Sequence, residues 1–185
     1  MKLTRPAIAR QPRSLQLMSV LSGRWAEPTQ DPTRNTGYNA AASRIPVRVS
    51  PNTASHFADE SVEFVHSKFG FSLPYTPESL IVVDAIVDKI KATGATEQQA
   101  SGLLAGLGCY VGEVFVRHAR ASWRWTAEMG MTESCRFPVV FALPGVTGCD
   151  AIGKVFQRFS GAAAASVASL YEIARAPLGG SRLHG

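Results

Sequence analysis

The sequence predicts one α+β domain, rich in helix, with a small antiparallel β-sheet packed against the helices. Three observations lead there. Between residues 96 and 120 apolar side chains recur at three- and four-residue steps, the period of a helix. Between residues 122 and 129 they alternate with polar ones, the period of a half-buried strand. Between residues 137 and 143 a short apolar run supplies a second strand, and because a two-stranded hairpin alone is marginal, the pair must lie against the helices.

The stretch from Thr96 to Trp125 organises the rest. Thr96 followed by Gln99 matches a capping box, in which each side chain satisfies an orphan backbone donor of the other residue. Glu97 places a negative charge in the first turn, where it complements the helix dipole. Leu103, Leu107, Val111, Val114, Phe115 and His118 form the stripe. Gly102, Gly106, Gly108 and Gly112 interrupt it. Each glycine costs about 1 kcal/mol relative to alanine inside a helix, so packing must offset on the order of 4 kcal/mol. Gly108 and Gly112, one turn apart, therefore predict close backbone contact with a neighbouring helix or strand. The run is not read as a membrane span, because Glu113, Arg117 and Arg120 fall within it and no stretch of 18 uncharged residues exists.

One polar row on this helix is the candidate site. Tyr110, Glu113 and Arg117 lie at steps of three and four, which puts them on one face, with Glu113 four residues before Arg117 in the favourable order for an ion pair. A carboxylate and a guanidinium presented together suit the mouth of a site. The plainer reading is an ordinary surface pair, worth roughly 0.3–0.5 kcal/mol.

The chain has 185 residues and a net charge of +5, unevenly spread. Residues 1–50 hold eight Lys or Arg against two Asp or Glu, a net +6, and residues 51–185 hold eleven against twelve, a net −1. The basic part carries Pro6, Pro12, Pro28, Pro32 and Pro46 with many Ser, Thr, Asn and Arg, a composition that buries too little apolar surface to fold. Residues 1–54 thus read as a disordered tail, and the part before about Pro51 as dispensable for folding. An Arg-rich, acid-poor start also matches an organelle transit peptide, whereas a secretory signal lacks its apolar run. Translation from Met18 is a further possibility.

Residues 55–176 read as the globular domain and 177–185 as a flexible end. Phe57, Val62, Phe64, Val65 and Phe69 predict a first helix ended by Gly70. After the connector Phe71-Ser-Leu-Pro, the run Thr76-Pro77-Glu78 opens a second helix with N-cap, proline and acid in order. Leu80, Val83, Ile86, Val87 and Ile90 form its stripe, and Gly94 closes it. Asp84 and Asp88 lie four apart on the other side and are expected to face water, since no third metal ligand is near. In the first strand Trp123, Trp125, Ala127 and Met129 are expected to point inward. Pro138 near the start of the second strand marks an edge or a strand end. Pro144 to Gly148 is a turn. Asp150 caps a short helix with Ile152, Val155, Phe156 and Phe159, and Gly161 breaks it. Residues 162–174 form the last helix, with Val167, Leu170 and Tyr171 on one face.

Cys109, Cys135 and Cys149 have no CxxC spacing, and their odd number without an export signal predicts free thiols in a reducing, cytoplasmic setting. Cys149, in a turn before a helix start, is the candidate for a lowered pKa, with His66 or His118 as partner. His56, His66, His118 and His184 lack metal-ligand spacing. Gly145-Val-Thr-Gly148 lacks the Lys-Ser/Thr ending of a phosphate loop, and the glycines of 102–112 lie within a helix rather than after a strand. No cofactor or metal is predicted.

A helix carrying Gly108-Cys-Tyr-Val-Gly-Glu113 with Arg117, then Trp123, a second strand, Ile152 to Arg158 and a helix with Leu170-Tyr171 resembles a group of small bacterial domains of unknown function. These share a Gly/Ala-x-Tyr-x-Gly-Glu-x-x-x-Arg helix followed by a Trp-containing strand. The resemblance covers roughly residues 57–175. It implies a fold type and no catalytic residues, and it singles out Tyr110, Gly112, Glu113, Arg117 and Trp123.

Three functions follow as expectations. The first is a non-catalytic cytoplasmic binding or accessory domain, the immunity type included, with a protein partner and no membrane; its surface is Tyr110, Glu113, Arg117 and Trp123. The second is a small hydrolase or transferase using Glu113 and Arg117. The third is weak, salt-sensitive nucleic-acid binding through the basic tail. Whether Glu113 and Arg117 line a concavity or a flat surface separates the first two.

Overall fold

The computed structural model describes residues 48–145, 148–161 and 166–175. The expectations for residues 1–47 and 176–185, and for the start of the last helix at 162–165, lie outside the described residues. Among the described residues, five helices and a three-stranded antiparallel sheet make one helix-rich α+β domain.

Helix α1, Ala54–Phe69, ends at Gly70, whose φ of 72° is the left-handed conformation that glycine adopts without penalty. The core reaches further back than the expected start at Ser55. Val49 is only 2 % exposed, and the Ser50 and Thr53 side chains bond each other at the helix entry. Pro77–Ser79 forms one 3₁₀ turn that runs directly into α2, Leu80–Ala92. Proline at the first helical position needs no backbone donor there, but the Thr76 side chain makes no cap; its carbonyl accepts from Ser79 instead.

Helix α3, Glu97–Ala119, begins with the predicted capping box between Thr96 and Gln99. Every residue from Ala100 to Phe115 is buried. By length and composition this helix could cross a membrane, and 89 % of its most apolar window is buried by the rest of the chain. Its main neighbours are α1 and α4, Ala151–Ser160. The glycines explain how three elements approach it. A Cβ on Gly106 would lie 1.8 Å from Ser61 Oγ of α1, one on Gly108 2.5 Å from Ile152 Cα of α4, and one on Gly112 2.2 Å from the Trp123 ring. The propensity cost of these glycines is thus matched by contacts so close that a Cβ at any of the three would force the neighbour to shift.

The sheet runs β1 (Ser122–Trp125), β2 (Val139–Ala142), β3 (Gly148–Cys149), with β2 central. Trp123 pairs with Phe141, and Phe141 in turn with Cys149. The third strand was not foreseen: two residues carry no readable period, and Gly148 reads as a turn. Pro138 sits just before β2, at a strand end. Val139, Val140 and Phe141 are all buried, so both faces of the centre are covered. Phe141 stacks on Phe115 of α3 at 4.3 Å between centroids, and Phe115 also meets Tyr171 of α5, Val167–Arg175.

Two expectations are corrected. Trp125 is 41 % exposed, and the strand ends there rather than continuing to Met129. Alternation assigns Trp123 and Trp125 to one face, whereas tertiary packing decides how much of that face is covered. Asp84 does not face water. It is 9 % exposed and accepts hydrogen bonds from the Val167 amide at 3.0 Å, the Ser166 hydroxyl at 2.8 Å and the Ala168 amide at 3.4 Å. It therefore satisfies the N-terminal amides of α5, from a helix 83 residues away in sequence. Arg158 lies between Asp84 and the exposed Asp88, bonded to Asp88 and 3.5 Å from Asp84.

Candidate functional site

The helical row of Tyr110, Glu113 and Arg117 holds together in space, but its members differ sharply in exposure. Tyr110 is fully buried. Its hydroxyl accepts the Tyr75 amide at 2.9 Å and shares a hydrogen bond with Ser79 Oγ. Glu113 is 6 % exposed, with Oε1 accepting from Trp123 Nε1 at 2.8 Å and Oε2 3.7 Å from Arg117 Nε. Arg117 alone reaches solvent, its side chain 44 % exposed. Trp123 is half-buried, its ring against Gly112 and its N–H spent on Glu113.

The residue they converge on is Tyr75, which sequence reasoning missed. It has a φ of 60°, a left-handed conformation uncommon for any residue but glycine. Four contacts hold it. The Tyr110 hydroxyl takes its amide. His118 Nε2 lies 2.8 Å from its carbonyl, and since a carbonyl only accepts, Nε2 carries the proton. Its phenol donates to Asp59 Oδ1 of α1. Its ring packs on Tyr110 at 4.6 Å on one side and carries the Arg117 guanidinium, 3.5 Å from the ring centre, over its face. The available signal in the sequence was slight: a tyrosine between Pro74 and Thr76-Pro77.

The chemistry of these groups is constrained by burial. Desolvation pushes the Tyr75 phenol well above its ordinary pKa, and the neighbouring Asp59 carboxylate adds to this. Burial also raises Tyr110, with its hydrogen bonds from Ser79 and Tyr75 acting in the opposite direction. Both phenols are hydrogen-bonding groups, not bases, near neutral pH. Neither Glu113 nor Arg117 lines the groove of about 590 Å³ found between the 3₁₀ turn and α5.

Cys149 is corrected as a nucleophile. Burial raises its pKa, and the Asp150 carboxylate, which caps α4 by accepting from the Gly153 amide at 2.7 Å, raises it further. The helix start that could have stabilised a thiolate is already occupied by that carboxylate. Burial lifts Cys109 too, and Cys135 is pushed up to about 11 by burial first and Asp150 next. All three thiols are free. His118 is committed to the Tyr75 carbonyl. Among the described residues no group of three His, Cys, Asp or Glu side chains is placed to hold a metal ion. The basic tail invoked for nucleic acid lies outside the described residues.

No protein-family model, no curated protein and no solved structure matches this chain.

Proposed function

We propose that this chain is a non-catalytic binding module, and that its contact surface is the corner around Arg117, which takes an acidic group of a protein partner. The observation that carries this is the Tyr75 turn. A non-glycine residue in the left-handed region costs of order 1–3 kcal/mol and persists only where its surroundings over-determine it, as functional sites do. Here the turn is held from four sides and supports a guanidinium that the Tyr75 ring and Glu113 pre-orient. A pre-oriented guanidinium loses little entropy on meeting a carboxylate, and its fork matches that group in geometry. Arg120, three residues further on and also exposed, adds a second formal positive charge. A role for Glu113 in hydrolysis or transfer is disfavoured by its burial and by the engagement of both its oxygens. The free cysteines fit work in a reducing compartment such as the cytoplasm. The likeness to small bacterial domains adds a fold type and the same residues to this reading.

The test is a titration of the isotope-labelled full chain with a hexaglutamate peptide, followed by amide chemical shifts. Saturable shifts clustered at Tyr75, Arg117 and His118 are expected, weakened by salt and absent in Arg117→Gln. Shifts that survive that substitution, or no shifts at this corner, overturn the reading.

A further inference from the structure

The groove of about 590 Å³ lies on another part of the surface, between the 3₁₀ turn, the start of α2 and α5. Ile81 from α2 and Ile173 from α5 line it, 66 % and 72 % exposed. They are two of the three large hydrophobic side chains exposed among the described residues. Clustered exposure of this kind marks a surface that something covers. Pro77 and Tyr171 extend the apolar lining; the charged residues of the lining are Glu78 and Glu172, with no Lys or Arg among them.

An apolar floor with acidic residues beside it fits a basic amphipathic segment laid in as a helix, read through anchors at three- and four-residue steps. The chain contains such a segment. Leu15, Met18, Leu21 and Trp25 follow one another at steps of three, three and four, among Arg10, Arg13 and Arg24, and no Asp or Glu precedes Glu27. We propose that residues 13–25 of this chain dock in the groove, with the apolar side on Ile81 and Ile173 and the arginines toward Glu78 and Glu172.

Reach and charge favour this occupant over others. Residues 26–47 join the segment to Arg48, where the described domain begins, and extended they span about 75 Å. A domain of this size has a radius of gyration of only about 14 Å, so the groove is within reach from any point of attachment. Tethering raises the effective concentration of the segment to roughly the millimolar range, which a separate protein seldom reaches. A second copy seated on the same groove by a two-fold axis would bring Glu78 and Glu172 against their own counterparts, a like-charge contact that opposes association. The inference is independent of the Arg117 corner, because Arg117 is not part of the groove lining.

The test uses the full chain with photoreactive benzoylphenylalanine, itself a large apolar side chain, at the exposed position 81. Irradiation is expected to link position 81 to residues 13–25 within one chain, with a yield independent of protein concentration. Met18→Asp in the same chain should reduce that yield at least tenfold. A link between two copies that grows with concentration, a link elsewhere in the chain, or no link overturns the proposal. Hydrogen exchange gives a second readout: amides of α5 should exchange severalfold faster in Met18→Asp than in the parent, and equal rates count against docking.

Discussion

Gly108 and Gly112 are alike in spacing and helix position, and the structure separates them by what each touches. A methyl at position 108 would fall 2.5 Å from the Ile152 Cα, which is main chain and moves only if α4 moves. A methyl at 112 would fall on the Trp123 ring, whose N–H is fixed on Glu113. Both substitutions to alanine are expected to destabilise by about 1–3 kcal/mol, Gly108→Ala more than Gly112→Ala. Urea unfolding measures both, and a stabilised variant would contradict the packing argument, since an exposed helical glycine gains stability on replacement by alanine. Gly112→Ala should also alter tryptophan fluorescence, because Trp123 must shift. Cys135 offers a test by pH. With its pKa raised from 9.0 to about 11, its thiolate fraction at pH 8 is about a hundredfold below that of an ordinary cysteine. Alkylation by iodoacetamide should be correspondingly slow at pH 8 and accelerate up to pH 11. A rate that levels off near pH 9 would show the thiol to be unperturbed.

Helix α5 depends on a residue outside itself. Asp84 of α2 accepts the Val167 and Ala168 amides, and the Ser166 hydroxyl joins it. These are orphan donors of a helix start, which in most helices a residue of the same segment satisfies. Asp84→Ala removes that acceptor and leaves the half-buried Arg158 with Asp88 alone. A loss of about 1–3 kcal/mol is expected, combining the cap with an unpaired buried donor. Asp88→Ala, at an exposed position in the same helix, should cost less than about 1 kcal/mol. Hydrogen exchange localises the effect: α5 amides should lose protection in the first variant and keep it in the second. Equal losses in the two would mean that Asp84 acts only as a surface charge.

At the scale of the molecule, α3 is the axis against which α1, α4 and the sheet pack. The tail meets this body at Val49, whose burial draws the limit of what truncation can remove. Deletion of residues 1–47 removes the docked segment of residues 13–25 but leaves the core whole, so unfolding should stay cooperative with a midpoint lowered by no more than a few degrees. Deletion through Pro51 also removes Val49 and the Ser50–Thr53 pairing at the entry of α1. Burying a valine side chain contributes about 1.5–3 kcal/mol, so this longer deletion should lower the midpoint by several degrees more. Calorimetry on the two truncations distinguishes them, and identical midpoints would remove Val49 from the core in any energetic sense.

What the sequence determined by itself was local. The helix period, the Thr96 capping box, the stops at Gly70, Gly94 and Gly161 and the Asp150 cap act over four residues or fewer, and each was legible. So was the need for close contact at Gly108 and Gly112, because the cost of glycine in a helix is a property of the chain alone. The tertiary structure decided which groups of a legible row lie inside. Tyr110 and Glu113 went under the Tyr75 turn and Trp123, and Arg117 stayed at the surface. It also turned Asp84 inward to α5, left Trp125 exposed and added β3. The partners in these cases are 35 residues away for Tyr110 and 83 for Asp84. Periodicity and caps carry no information over such separations; burial is set by whichever distant element arrives to cover a face.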